Sequence, residues 1–373
     1  MSRLSTSIEG VNLAFWKRVS NSTYVNIASL GFFRVITGIF LLYFYYSYTW
    51  LADLPQALFQ PPILSVANLS DSFPSYYVLR VIDVCRLILL VAIIIGSQTR
   101  ISSLLWVILT IIAASFQFSL GKIDHDGALL LAMMIVLSFS GWGKELAVWP
   151  DKDSRYDSTA GSLAVFAAII CYGMFTAGLG KAMVWVDFNL QTSGFASWYY
   201  LGLYDFNRDR LLAGYVPMIP FHFYEILDYA AVFLELSPLL FLLLGRKTWI
   251  FWLLTASLFH LGNVLLLNIP FANHVLVYLV FVDLSGVRRL FKESKFFLFG
   301  VLGITGLIII IHVYFLVIQR HYWGLNELFG VERMPFELYS ALVLWSGMAV
   351  VMGSAFLVEL RNKVSEKKDK SIA

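Results

Sequence analysis

The chain has 373 residues, 59% hydrophobic and only 14% charged, with a mean hydropathy of +0.75. A soluble domain carries about a quarter charged residues and does not tolerate so much apolar surface, so a large soluble domain is excluded and an integral membrane protein, with the lipid bilayer as its first partner, is expected. The formal net charge of +3 gives no argument for nucleic acid, because in a membrane chain charge matters by location; no nucleic-acid partner is expected.

In chain order, residues 1–28 carry Arg3, Lys17 and Arg18 without a cleavable apolar core, and read as a cytoplasmic amphipathic lead-in. Apolar runs of about 20 residues, the length that crosses a bilayer as a helix, then follow. They predict about ten transmembrane helices near 30–50, 79–97, 102–119, 125–142, 161–182, 222–244, 249–267, 271–286, 297–318 and 336–359. The fold class is therefore an all-α polytopic bundle, with one transmembrane domain over 29–360 and a charged cytoplasmic tail over 361–373. Lys and Arg fall mostly on one side of these spans: in the N-terminal tail, at Arg100, in the 144–155 loop, at Arg246 and Lys247, in the 288–295 loop and in the C-terminal tail. The opposite loops hold only Lys122, Arg208, Arg210, Arg320 and Arg333. Cytoplasmic loops are the ones enriched in these residues, so both termini are expected in the cytoplasm. The long segments 51–78, 183–221 and 319–335 are then expected to face outward. The second of these, with Trp185, Trp198, Tyr199, Tyr200, Tyr204 and Tyr215, reads as an aromatic interfacial segment across the mouth of the bundle.

Charged groups inside a bilayer cost roughly 2.5–3.5 kcal/mol each on insertion scales, so each one in a span marks either a structural pair or a site. Arg80, Asp83 and Arg86 recur every three residues in the second span, as an ion-pair ladder or a contact for an anion or substrate. Arg34 near the inner end of the first span is a structural or snorkelling cation. Glu225, Asp228 and Glu235 share one stripe of the sixth span and need partners among Arg80, Arg86 and Lys181, or relay protons. His260 and Asn263 lie one turn apart in the seventh. Lys181 closes Phe175-Thr176-Ala177-Gly178-Leu179-Gly180-Lys181, where small residues let helices approach closely. A desolvated lysine loses affinity for its proton and becomes a general base, whereas an exposed one is a snorkelling anchor. Lys122-Ile123-Asp124-His125-Asp126 opens the fourth span on the same outer side.

Other chemistries find no signature. Cys85 and Cys171 sit in apolar stretches without metal or disulfide spacing. The six His are scattered with no Glu-x-x-His pair, so no metal is expected. No Walker loop, dinucleotide glycine fingerprint, H-E-x-x-H or G-x-S-x-G occurs.

The polar segments together resemble the horizontally transferred transmembrane (HTTM) domain family, which includes the membrane part of vitamin K-dependent gamma-carboxylase. Ala177-Gly178-Leu179-Gly180-Lys181 resembles the carboxylase segment whose lysine deprotonates vitamin K hydroquinone, and Asp124-His125 the segment whose histidine assists. Ser257 through Asn263, with Phe259-His260, resembles a later helix carrying a Phe-His pair. Glu235-Leu236-Ser237 resembles an acidic step in the helix before it, and Arg34 fits an arginine common in the first span. The likeness covers most of Leu30 to Arg289 in helix order; the large lumenal domain of the carboxylases has no counterpart here, where two more spans and a tail follow. Small bacterial relatives of this kind include a membrane protein needed to mature a secreted peptide toxin.

The resemblance implies a quinol-using enzyme, lyase-like in the carboxylase sense, that modifies or matures a secreted peptide or exported substrate at the outer face of a bacterial inner membrane or its equivalent. Its cofactor would be a quinol or vitamin K hydroquinone-like lipid. Lys181, His125 and His260 would be catalytic, with Lys181 the general base; Asn263, Asp124, Glu235 and Arg80 would bind the cofactor. Two other readings stay open. One is a non-catalytic factor that binds or matures an exported peptide in the same cavity. The other is a proton-coupled transporter relaying through Glu225, Asp228 and Glu235, although no Gly- or Pro-broken helix pair is legible in matching halves.

Overall fold

A computed structural model describes residues 2–121, 127–189 and 191–372. Among them all regular structure is helical, with no β-strand. The helices are α1 (Ser2–Thr23), α2 (Ile27–Tyr43), α3 (Tyr76–Ile95), α4 (Thr99–Gln117), α5 (Ala128–Leu137), α6 (Thr159–Trp185) and α7 (Gly194–Phe206). After them come α8 (His222–Leu236), α9 (Pro238–Leu244), α10 (Arg246–Gly262), α11 (Asn273–Leu279), α12 (Ser285–Glu293), α13 (Lys295–Ile318) and α14 (Arg333–Ile372), with short 3₁₀ turns between.

Five of these elements are long and apolar enough to cross a membrane: Thr99–Leu120, Thr159–Trp185, Arg246–Leu267, Leu298–Ile318 and Arg333–Arg361. The count rises to seven if Glu9–Thr23 with Ile27–Tyr43, and His222–Leu236 with Pro238–Leu244, each make one span. The most apolar window of α13 is only 17% buried within the protein and that of α14 22%. Exposed Phe299, Leu302, Leu307, Ile310 and Val317 therefore need lipid rather than water around them. The ten predicted spans resolve differently for physical reasons. The second is α3, a full-length helix that carries three charges, Arg80, Asp83 and Arg86. The fourth contributes α5, ten residues long, or about 15 Å of rise against about 30 Å of hydrocarbon. The eighth contributes α11, seven residues, after a stretch where Asn268 and Phe271 take positive φ. The sixth bends by 53° between α8 and α9, where Pro238 starts a new helix with no N–H to offer the turn before it. Hydropathy reports apolar composition and is blind to such breaks.

The chain divides into two compact units, one made of Met1–Tyr24, Ala160–Val282 and Glu337–Ala373, the other of Val25–Thr159 and Asp283–Phe336. In the first, α1 is a continuous helix whose Arg18 guanidinium donates to the carbonyls of Leu243 (2.8 Å) and Leu244 (2.7 Å), capping α9. Trp249, Trp252, Phe166 and Phe281 form its apolar centre, with Phe166 stacked on Phe281.

In the second unit Asn26 caps α2 by accepting from the Ser29 N–H at 2.7 Å. Arg34, on the same helix, is fully buried and does not snorkel. Its Nη1 donates to the carbonyls of Ile93 and Ile94 (3.0 Å to the second) at the end of α3, and Nη2 to those of Glu145 (3.2 Å) and Leu146 (2.7 Å). One cation thus serves carbonyls that the helix end leaves orphaned. Asp83 is the other hub. Its carboxylate accepts from the Ser47 hydroxyl (2.6 Å), the Tyr48 N–H (2.8 Å) and Arg86 Nη1 (3.0 Å). Arg86 also donates to Thr110 and to the Tyr46 carbonyl, and lies over the Tyr48 ring. The expected ladder is therefore a pair, Asp83–Arg86, while Arg80 lies over the Tyr76 ring instead.

Candidate functional site

The first unit holds four of the expected site residues, Lys181, Glu235, His260 and Asn263. Gly178 sets the spacing, because a Cβ there would lie 2.8 Å from the Glu235 Cβ and 3.1 Å from its carbonyl carbon, closer than packed atoms allow. The small-residue step of α6 thus lets α8 approach until Lys181, one turn beyond Gly178, reaches Glu235. Lys181 Nζ forms an ion pair and hydrogen bond with Glu235 Oε1, the lysine side chain 26% exposed and the glutamate 6%. The second carboxylate oxygen, Oε2, is buried and has no hydrogen-bond partner. On its other side the ammonium faces the Trp185 ring at 5.4 Å, one helical turn along α6.

His260 lies near the end of α10, where the helix passes into a π turn over Asn263–Leu267. Such turns widen a helix and often mark functional positions. The imidazole stacks on Trp345 of α14 (4.7 Å between centroids, 19° between planes), and Trp345 is pinned by its indole N–H to the Pro270 carbonyl at 3.0 Å. His260 Nε2 meets the Tyr278 hydroxyl at 3.0 Å, while Nδ1 is buried with no hydrogen-bond partner. The His274 and Phe271 rings each lie 5.3 Å from it. The Lys181–Glu235 pair and the His260–Tyr278 pair both belong to the first unit. Asn263 opens the π turn, half-buried, with its carbonyl accepting from Ile269 at 3.2 Å.

The aromatic segment after α6 is a folded strap that packs on Trp185. Gly194 starts α7 flat against Trp185: a Cβ at Gly194 would fall 2.2 Å from the indole ring. Asp228, about two turns before Glu235 on α8, is fully buried and caps α7. Its carboxylate accepts from the Ser193 hydroxyl (2.8 Å), the Gly194 N–H (2.9 Å) and the Phe195 N–H (2.7 Å). At the far end the Asn268 side-chain amide exchanges two hydrogen bonds with the Arg210 backbone, 2.7 and 3.0 Å. Ala196, Tyr199, Ala213, Val216 and Tyr224 pack between, against Leu266 and Leu267 of the π turn. Asp187, between α6 and the strap, accepts from the Thr192 hydroxyl and the Asn189 N–H, which hold its carboxyl below the usual range.

Of the other expected residues, Asp124 and His125 lie outside the described residues. Arg80 belongs to the second unit, where its Nη1 is buried without a hydrogen-bond partner. Asp228, one of three acids expected to need a cation, is satisfied by a helix N-terminus instead. Sequence reasoning missed Trp185, Tyr278, Trp345 and Gly194. Trp185 was findable, four residues after Lys181 on one helix face; the other three have no local signal. Among the described residues no group of three or more His, Cys, Asp or Glu side chains is placed to hold a metal ion. The chain matches no family model, no curated protein and no solved structure.

Proposed function

We propose that Lys181, Glu235 and His260 together bind a quinol or similar hydroxyl-bearing ring and remove its proton, in a multi-pass helical membrane protein with both termini in the cytoplasm. The same reading makes it a multi-pass enzyme, of the carboxylase-like HTTM kind, that modifies or matures an exported peptide on the outer side of a bacterial inner membrane or its equivalent. The observation that carries this reading is a pair of buried polar atoms without protein partners, Glu235 Oε2 and His260 Nδ1, beside an ammonium inside apolar helices. Orphaned buried polar groups are costly, at about 1–3 kcal/mol each, and native structures retain them where a ligand uses them.

A hydroquinone fits that set: an acceptor for its hydroxyl proton, a cation beside it, and flat rings, Trp185 beside Lys181 and Trp345 beside His260. When bound, the group would supply reducing equivalents for the peptide chemistry. The chain's own part is proton handling. Lys181 Nζ is engaged by Glu235 Oε1, so the pair rather than the lysine alone meets the ligand. The pair acts as one unit: Glu235 Oε2 receives the proton and Lys181 Nζ holds the negative charge left on the ligand oxygen. Trp185, packed under Gly194, covers one side of Nζ.

A transporter reading has one observation in its favour, the 53° break between α8 and α9 immediately after Glu235, since broken helices beside buried acids are a transporter device. Mass spectrometry of the lipid-soluble extract from purified protein separates the two. A stoichiometric quinone in wild type, absent from Lys181→Met, is the expected result. No quinone in either, with proton-coupled uptake in liposomes, would replace the enzyme with the transporter.

A further inference from the structure

Tyr278 dictates what His260 shows to a ligand. The Tyr278 side chain is fully buried, and a buried hydroxyl must place its proton on an acceptor. Among the described residues the hydroxyl has one hydrogen-bond partner, His260 Nε2 at 3.0 Å. Were Nε2 protonated, the tyrosine would accept that proton and its own would have nowhere to go inside an apolar core. The arrangement that satisfies both groups has the tyrosine donating and Nε2 accepting, which puts the imidazole proton on Nδ1.

We infer that Tyr278 is a positioning residue that holds His260 as the neutral Nδ1–H tautomer, so that the imidazole presents an N–H donor to an oxygen of the ligand. Stacking on Trp345, itself tied to the Pro270 carbonyl, fixes the ring plane and hence the direction of that donor. The site is then a matched set: Nδ1–H as donor, Glu235 Oε2 as acceptor, Lys181 Nζ as cation. That set selects a ligand whose oxygen passes from hydroxyl to anion, because the acceptor serves the first form and the donor and cation the second. Neither Lys181 nor Glu235 hydrogen-bonds the imidazole, whose Nδ1 has no partner among the described residues. His274, 5.3 Å away between ring centroids, is the other titratable group packed on this face. The inference rests on the proposed site only for the ligand; the tautomer follows from Tyr278 and His260 alone.

The test is solid-state NMR of the full chain in liposomes, labelled with ¹⁵N-histidine, at neutral pH. A non-protonated Nε2 and protonated Nδ1 are expected for His260, identified as the signal that shifts in Tyr278→Phe, a variant that removes one oxygen and keeps the ring. Tyr278→Phe is expected to move His260 toward the Nε2–H form. A wild-type Nε2–H tautomer or imidazolium, or a signal indifferent to Tyr278→Phe, overturns the inference. In a second arm, thermal stabilisation by added ubiquinol or menaquinol is expected to survive in His260→Asn, whose amide N–H stands near the Nδ1 position, and to fall at least tenfold in apparent affinity in His260→Gln, whose amide reaches the Nε2 position. Equal loss in both overturns the donor role. A wild-type Nδ1–H tautomer without any quinol response would leave the Tyr278 assignment standing and overturn the proposed ligand.

Discussion

Four buried groups contrast: Arg34 and Asp83 in the second unit, Glu235 and His260 in the first. In the second, Arg34 spends its terminal nitrogens on four carbonyls, and Asp83 accepts from a hydroxyl, an amide N–H and a guanidinium. In the first, Glu235 gives one oxygen to Lys181 and leaves the other alone, and His260 gives one nitrogen to Tyr278 and leaves the other alone. Satisfied buried polar groups fix a fold; half-satisfied ones leave stability unused and gain a reason to exist only when something else completes them. The contrast is between these groups and not between the units, since Arg34 Nε and Arg80 Nη1 of the second unit are also buried without a hydrogen-bond partner and Asp228 of the first is fully satisfied.

That contrast can be broken by substitution. The largest expected effect is Asp83→Ala, which strands Arg86 in the core and costs about 3–5 kcal/mol, measured as lost thermal stability or lost folded yield in detergent. Arg34→Met orphans helix-end carbonyls at once and is expected to cost about 3 kcal/mol; Arg34→Lys rescues little, since one ammonium does not span carbonyls on two segments. Gly194→Val drives a side chain into Trp185 and is expected to lose about 1–3 kcal/mol while loosening the strap, seen as faster proteolysis within 191–212. Lys181→Met with Glu235→Gln removes a pair rather than half of one, and is expected to leave stability within about 1 kcal/mol of wild type while abolishing any quinol response. If this double variant unfolds, the first unit's pair is scaffold after all.

The smallest effect concerns acid. Asp53 of the second unit accepts from Arg320 Nη2 at 2.6 Å and meets His321 Nε2 at 2.5 Å, and the Arg320 hydrogen bond, ahead of His321, holds its carboxyl below the ordinary value. A carboxyl depressed in the folded state stabilises above its unfolded value and loses that contribution as pH falls through the folded one. Asp53→Asn is therefore expected to flatten the acid limb of the stability profile by lowering stability slightly at neutral pH and leaving it unchanged below the folded value, the effect being small because the group is exposed.

Much of this was legible in the residues. Composition pointed to a helical membrane chain, and the spacing of Arg80, Asp83 and Arg86 pointed to an ion-pair ladder or an anion contact, of which the Asp83–Arg86 pair forms while Arg80 lies over Tyr76. Gly178 announced a close helix approach, and Lys181 with Glu235 was one of several pairings left open. What the sequence hid is long-range. Nothing local says that Asp228 caps α7, that Tyr278 meets His260, or that Trp345 lies beneath it. The short α5 and α11 were read as spans because apolar content persists where the helix does not. Arg34 was read as a possible snorkelling cation because its carbonyl partners lie in segments far along the chain.

The central claim is that the half-satisfied groups form the ligand site and the saturated ones are scaffold. Thermal unfolding of wild type, Asp83→Asn and the Lys181→Met/Glu235→Gln double variant, each with and without added quinol, tests it most directly. The account predicts that Asp83→Asn lowers the unfolding temperature and keeps the quinol shift, whereas the double variant keeps the unfolding temperature and loses the shift. A double variant that is destabilised yet still stabilised by quinol would contradict it.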